Sequence, residues 1–188
     1  MTNKQDLRIV KTKKALFEAL INLMKEKSFE KIKISDICED ALINRSTFYA
    51  HYEDKYDLLL ELIQDLKNNL ENELKNNKVN NISKEYFMEL LRILIDDVDK
   101  KRETYSAILT HNKNGILIDF LIDVVNRDLT NRLKYESSAI KSNIPINTVT
   151  EFYLGGIITI GVNWITNKDR YKKEELLSYL DKLIPDKI

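Results

Sequence analysis

The chain has 188 residues and a mass of 22.1 kDa, which suits one domain, or two small units sharing a helix, and is too short for a large multidomain assembly. With only 4 Gly and 2 Pro it lacks the turn material of an all-β fold, so an all-α chain is expected. Lys plus Arg (30) balance Asp plus Glu (30); this excludes a globally basic polyanion binder, and any nucleic-acid contact has to come from locally placed charge.

A single cysteine, Cys38, excludes an intrachain disulfide framework, and with only His51 and His111 beside it no metal site is expected. The sequence holds no signal-like apolar leader and no run of eighteen apolar residues. The expectation is a cytoplasmic protein without cofactor, metal or membrane contact.

In chain order, residues 1–14 carry Lys4, Arg8, Lys11, Lys13 and Lys14 against Asp6, a local excess of positive charge in a neutral chain. From about residue 8, Ala15, Leu16, Ala19, Leu20, Leu23 and Met24 recur at the three and four spacing of one helix face. The connector SFEKIKI follows, and Ser35 is placed to cap a second helix of about two turns in which Ile37 and Ala41 face inward. Leu42, Ile43 and Asn44 break the periodicity, implying a turn. Asn44 then caps a third helix, Arg45 to about Tyr52, whose start is stapled by Ile43 and Phe48.

Asp54 opens a fourth helix through Leu58, Leu59, Leu62, Ile63, Leu66, Leu70 and Leu74, a strut that dissolves in the Asn-rich stretch 76–81. Ser83 opens a fifth helix to about Lys101, with Phe87 at its staple position, and further helices are expected near 103–112, 115–137, 147–166 and 172–184, about nine in all.

A long helix followed by two short ones joined by a tight turn is the arrangement that lays the last of the three in a DNA major groove. Such a helix needs a small apolar core behind it and hydrogen-bonding side chains in front. Ile34, Ile37, Ala41, Ile43, Phe48 and Tyr52 supply the core, while Arg45, Ser46, Thr47, Tyr49 and His51 are left for the outer face.

The segment KISDICEDALINRSTFYAHYEDKYDLL resembles the DNA-binding segment of the TetR (tetracycline-repressor) family, through its Ile-Cys-Glu-Asp-Ala helix, the start of the third helix at Ile43 to Tyr49, and the aromatic, acid and Lys55 pattern opening the strut. FYLGGIITIGVNWI further resembles the late helix of a TetR subgroup with an aromatic, double-Gly and Trp signature. The resemblance implies that Tyr49 and Lys55 contact phosphates, that Lys33 and Ser35 anchor the second helix on the DNA backbone, and that Arg45, Ser46 and Thr47 approach base edges. Independently, an arginine reads guanine through two parallel donors, a threonine meets a thymine methyl, and a helix start offers amides to a phosphate. One departure stands out: the family usually has Gly where this chain has Leu42. A leucine adopts a left-handed backbone at a cost of about 1 kcal/mol, so either the turn is strained or its geometry differs.

From Phe152 to Asn167 the chain is uncharged, with Gly155, Gly156 and Gly161 inside an apolar run. Each helix-interior glycine costs about 1 kcal/mol relative to alanine, so something should offset it. Cover by an identical partner does so, and Gly155, Gly156, Ile160, Gly161, Trp164, Leu176 and Leu180 are the expected homodimer interface; a monomeric core helix is the alternative. Phe87, Leu91, Tyr105, Phe120, Phe152 and Tyr153 are candidates to line a cavity for an unidentified small-molecule effector. The expectation is a helix-turn-helix head at 1–53 and a helical dimerisation and effector body at 54–188. Together they make a homodimeric repressor of a palindromic double-stranded operator, released by effector, and not an enzyme. The alternative is a TetR-like coactivator or protein-interaction module whose head no longer binds DNA.

Overall fold

The computed structural model describes residues 4–76, 84–112, 115, 117–119, 122–123, 125–126, 144–167 and 170–185. Among these residues there are no strands. The helices are α1 (Lys4–Glu26), α2 (Ile34–Asp40), α3 (Arg45–Tyr49), α4 (Lys55–Asn76), α5 (Lys84–Lys100), α6 (Arg102–His111), α7 (Ile146–Thr166) and α8 (Lys173–Leu183). A 3-10 turn, Phe29–Lys31, joins α1 to α2. Most of the helix expected at 115–137 lies outside the described residues; those of it that are described at 117–119, 122–123 and 125–126 are helical.

Two apolar cores organise the chain. In the first, Leu16, Ala19, Leu20 and Met24 of α1 meet Ile37 and Cys38 of α2, Phe48 of α3, and Leu58, Leu59, Leu62 and Ile63 of α4. The three and four spacing in α1 and α4 brings these residues onto single stripes, and burial of those stripes holds the short helices α2 and α3, which at 7 and 5 residues are too short to persist alone. This core crosses residue 53, because the first turns of α4 are part of it. Beyond Ile63 the strut leaves this core, with Leu66 41% exposed, and Leu74 near its end is buried again at 2%.

The second core lies in the body. Met88, Leu91, Ile95 and Val98, spaced three and four along α5, close on Trp164 of α7 and on Leu176, Leu180 and Ile184 of and just after α8. Trp164 is anchored by its indole N–H, which donates to the Tyr171 carbonyl at 3.0 Å, and by the Arg102 guanidinium stacked 4.0 Å from its ring. The two halves meet where α6 packs along α1, and Ile108 of α6 joins the first core.

The helix starts are set by local chemistry, with one correction. The Asp54 carboxylate accepts from the amides of Tyr56 (2.8 Å) and Asp57 (2.9 Å), an N-cap for α4 as expected. Ser35 does not cap α2: the cap position is Lys33, and Asp36 reaches back to accept from the Lys33 amide at 3.3 Å. The same carboxylate, inside the first turn, also pairs with Lys27 just after α1.

Candidate nucleic-acid interface

The turn between α2 and α3 begins with a Schellman closure. The Ile43 amide donates to the Cys38 carbonyl (2.9 Å) and the Leu42 amide to the Glu39 carbonyl (3.2 Å), which requires a left-handed residue between them. That residue is Leu42, with φ 54°, and its side chain is 93% exposed. The geometry usual for glycine is therefore kept and the leucine bears the strain. Ile43 then packs on the first core beside Phe48, the expected staple.

Asn44 occupies the N-cap of α3 with extended backbone (ψ 146°), but its side chain makes no capping bond. The carboxamide is exposed next to Arg45. Sequence reasoning treated Asn44 as a cap and so missed it as an outward hydrogen-bonding group; its place beside Arg45 was the available signal. Phe48 is 0% exposed and holds α3 on the core, with the Tyr49 ring edge-on to it at 5.5 Å. A helix pinned along its inner side by Phe48 turns the others out: Arg45, Ser46 and Tyr49 are exposed, Tyr49 by 57%, while Thr47 and His51 are half-buried. Tyr52 closes the core at 3% exposure, and burial, then the facing Glu61 carboxylate, push its hydroxyl above the ordinary tyrosine value.

Around this face, Lys33 is exposed at the start of α2, and the half-buried Ser35 hydroxyl donates to Asp36 at 3.3 Å. The Lys27 ammonium, then the Lys33 amide, hold the Asp36 carboxyl below the usual carboxylate range. With a lowered folded value, the Lys27 to Asp36 tie between α1 and α2 is in place above about pH 4 and is lost as pH falls through the lowered value. Of the N-terminal cations, Arg8 and Lys11 are exposed, whereas Lys13 pairs with Glu61 of α4 and Lys14 with Glu18.

Lys55 stands apart from the other expected phosphate contacts. Its ammonium donates to three carbonyls, Phe29, Glu30 and Ile32, each at 2.9 Å, and lies 4.8 Å from the Phe29 ring and 5.5 Å from the Tyr56 ring. A lysine has three donors and all are used here. Burial lowers its pKa from the ordinary lysine value. Lys55 therefore clamps the connector that carries α2 to the start of the strut.

The residues expected around an effector do not converge. Leu91 is in the second core, and Tyr105 packs against it with its hydroxyl donating to Asp97 at 2.9 Å. Phe87 is half-buried against Tyr86, Tyr153 is half-buried, Phe152 is 75% exposed, and Phe120 lies outside the described residues. An open cleft of about 1130 Å³ is found elsewhere, between residues 99–104 and 170–175 over Trp164, and none of the six lines it. Its wall mixes Lys100, Lys101, Arg102 and Arg170 with Asp99 and Glu174.

Three of the residues assigned to a subunit interface are buried within the chain itself: Trp164 (1% exposed), Leu176 (1%) and Leu180 (3%) belong to the second core. They were misassigned because apolar periodicity does not distinguish an inner face from an outer one. Ile160 packs at the edge of the same core. Gly155, Gly156 and Gly161 are different, since among the described residues a Cβ added at any of them would meet nothing within 4 Å.

Comparison with known proteins covers both halves. Residues 16–62 match the family model described as bacterial regulatory proteins, tetR family, and residues 88–186 match that of a transcriptional regulator C-terminal region. Over 60 residues the chain is 43% identical to an uncharacterized HTH-type transcriptional regulator, YxbF, of Bacillus subtilis (strain 168); the match spans 31% of this chain and 16% of that protein. The fold is similar to a TetR transcriptional regulator from Streptococcus agalactiae 2603V at 28% identity and TM-score 0.67, covering 95% of this chain and 96% of that one. It is also similar to Thermus thermophilus FadR, a TetR-family repressor solved in complex with lauroyl-CoA, at 16% identity and TM-score 0.60, covering 91% and 92%. Among the described residues no helix is long and apolar enough to cross a membrane.

Proposed function

The chain belongs to the tetR family of bacterial regulatory proteins, and from that premise we propose that it is a homodimeric transcriptional repressor that binds a palindromic operator through α3. The observation that carries the reading is the split of α3: Phe48 fully buried behind, Arg45, Ser46 and Tyr49 exposed in front. Arg45 and Ser46 read base edges at the helix start, with Asn44 beside them; Thr47 supports them from its half-buried position. Tyr49, Lys33, Ser35 and His51 meet the backbone and fix register. Lys55 acts indirectly, by holding the connector, and the exposed Arg8 and Lys11 add counterion release. A working boundary at 53/54 separates the DNA-reading head from the body, with the start of α4 shared between them. An exposed reading face of this kind argues against a coactivator with a lapsed head.

Pairing of subunits through α7 is supported by its three glycines, whose missing Cβ groups nothing among the described residues requires. Two heads then stand about 34 Å apart, one turn of duplex. A small molecule that binds the body better when the heads are otherwise spaced lowers operator affinity by its differential affinity for the two states.

Selection from a pool of random duplexes tests this reading. The expected outcome is a two-fold site; Arg45→Ala relaxes preference at one base pair of each half-site by about 1–3 kcal/mol, whereas Tyr49→Ala weakens binding to all sequences. Failure to enrich any sequence, or an equal loss on every sequence for Arg45→Ala, overturns it.

A further inference from the structure

Asn112, the residue that ends α6, is 4% exposed and reaches across 83 residues of sequence to the head. Its carboxamide oxygen accepts from the Phe29 amide at 2.6 Å. Its nitrogen donates to the Met24 carbonyl in the last turn of α1 (3.2 Å) and to the Ile108 carbonyl one turn back in α6 (2.7 Å). The partners fix which end is which, since Phe29 offers a donor and the other two offer acceptors. The Phe29 backbone is thus held at both of its polar groups, in successive peptide units: its N–H donates to Asn112 at the end of α6, and its C=O accepts from Lys55 of α4 at 2.9 Å. The Phe29 side chain is 0% exposed and its ring lies edge-on to Tyr56 at 5.2 Å.

We propose that Asn112 is a positioning residue for operator binding, and that with Lys55 it makes the Phe29 peptide the joint that sets the angle of the head on the body. The connector from α1 to α2 is seated by Phe29 and Ile32, 0% and 1% exposed in the first core, and the path between them is set by the groups that satisfy its peptide bonds. Here those groups come from two different body-linked helices. A primary carboxamide supplies one acceptor and two donors, and α6 presents one at this depth. An apolar side chain of the same size would leave the Met24 carbonyl and the Phe29 amide buried without these partners, and the connector would move to recover them. Because α2 is tied to this connector as well as to the first core, a change there alters where Arg45 and Tyr49 stand without touching either. The DNA-binding part of this inference rests on the function proposed above; the joint itself does not.

The test reads the joint and the DNA separately. Spin labels at Glu39→Cys in α2 and Arg92→Cys in α5, in a Cys38→Ala background and with labelled chains diluted into unlabelled ones, report the head-to-body distance within one chain. Asn112→Ala is expected to shift or broaden that distance and to lower affinity for a duplex selected by the wild type about tenfold. An unchanged distance distribution, whatever the affinity, overturns the positioning role and leaves Asn112 a stabilising group only. An altered distance with unchanged affinity overturns the claim that operator binding depends on the angle. Should Asn112→Ala fail to fold, Asn112→Asp keeps the acceptor for Phe29, and in the wild type the Phe29 amide itself must exchange slowly with solvent; exchange at the rate of an open peptide sinks the proposal without any variant. If the wild type enriches no duplex, the DNA-binding reading fails by itself while the distance measurement still decides the joint.

Discussion

The head and α7 handle apolar surface in opposite ways. In the head, Leu16, Leu20, Phe29, Ile37, Phe48 and Leu58 are all at 0% exposure, and the polar groups of the α1 to α2 connector are met by Lys55 and Asn112. In α7, Phe152 is 75% exposed and three glycines face no atom of the described residues within 4 Å of where a Cβ would stand. The head is complete within one chain. α7 carries glycines costing about 1 kcal/mol each with no return among the described residues, which fits the pairing of subunits proposed above.

The contrast can be broken from either side. The largest effect belongs to the head: Phe48→Ala removes a side chain at 0% exposure and is expected to lower stability by about 3–5 kcal/mol, read by chemical unfolding, together with complete loss of duplex binding. A loss below about 1 kcal/mol would mean that α3 does not depend on the core drawn here. Next comes Gly156→Ile. If this face pairs subunits, the added bulk weakens dimerisation by about 2 kcal/mol, seen as monomer at low micromolar concentration in sedimentation. If the face is merely exposed, the same change leaves association untouched and steadies the helix, since isoleucine is a better helix former than glycine. The smallest effect is at the turn. Leu42→Gly relieves the left-handed strain and is expected to raise the melting midpoint, worth about 0.5–1 kcal/mol after the entropy glycine adds to the unfolded chain. A decrease would show that the exposed leucine is held by something other than this backbone.

Where information was local, the sequence was readable. The spacing of Leu16, Leu20 and Met24 located α1, Asp54 located the start of α4, and the run after Asn44 located α3 with its exposed Arg45, Ser46 and Tyr49, because helical periodicity and capping depend on residues within a turn or two of each other. Ser35 was misread at the same scale: an oxygen-bearing side chain near a helix start looks like a cap, whereas the cap position is Lys33, two residues earlier, and Asp36 both bonds back to it and pairs with Lys27. The assignments that did not hold in the body share one cause. Trp164, Leu176 and Leu180 are apolar at helical spacing, which says that they are buried but not against what.

By itself, then, the sequence determined the described helices, their order and the exposure of Arg45, Ser46 and Tyr49 on α3, because each of these follows from neighbours along the chain. Only the tertiary structure decided that Lys55 clamps a connector 23 to 26 residues away, that Trp164 faces inward, and that Asn112 reaches Phe29 across 83 residues. Such pairings join groups whose separation in sequence carries no periodic signal, and they exist only once packing has brought buried donors and acceptors within reach of one another.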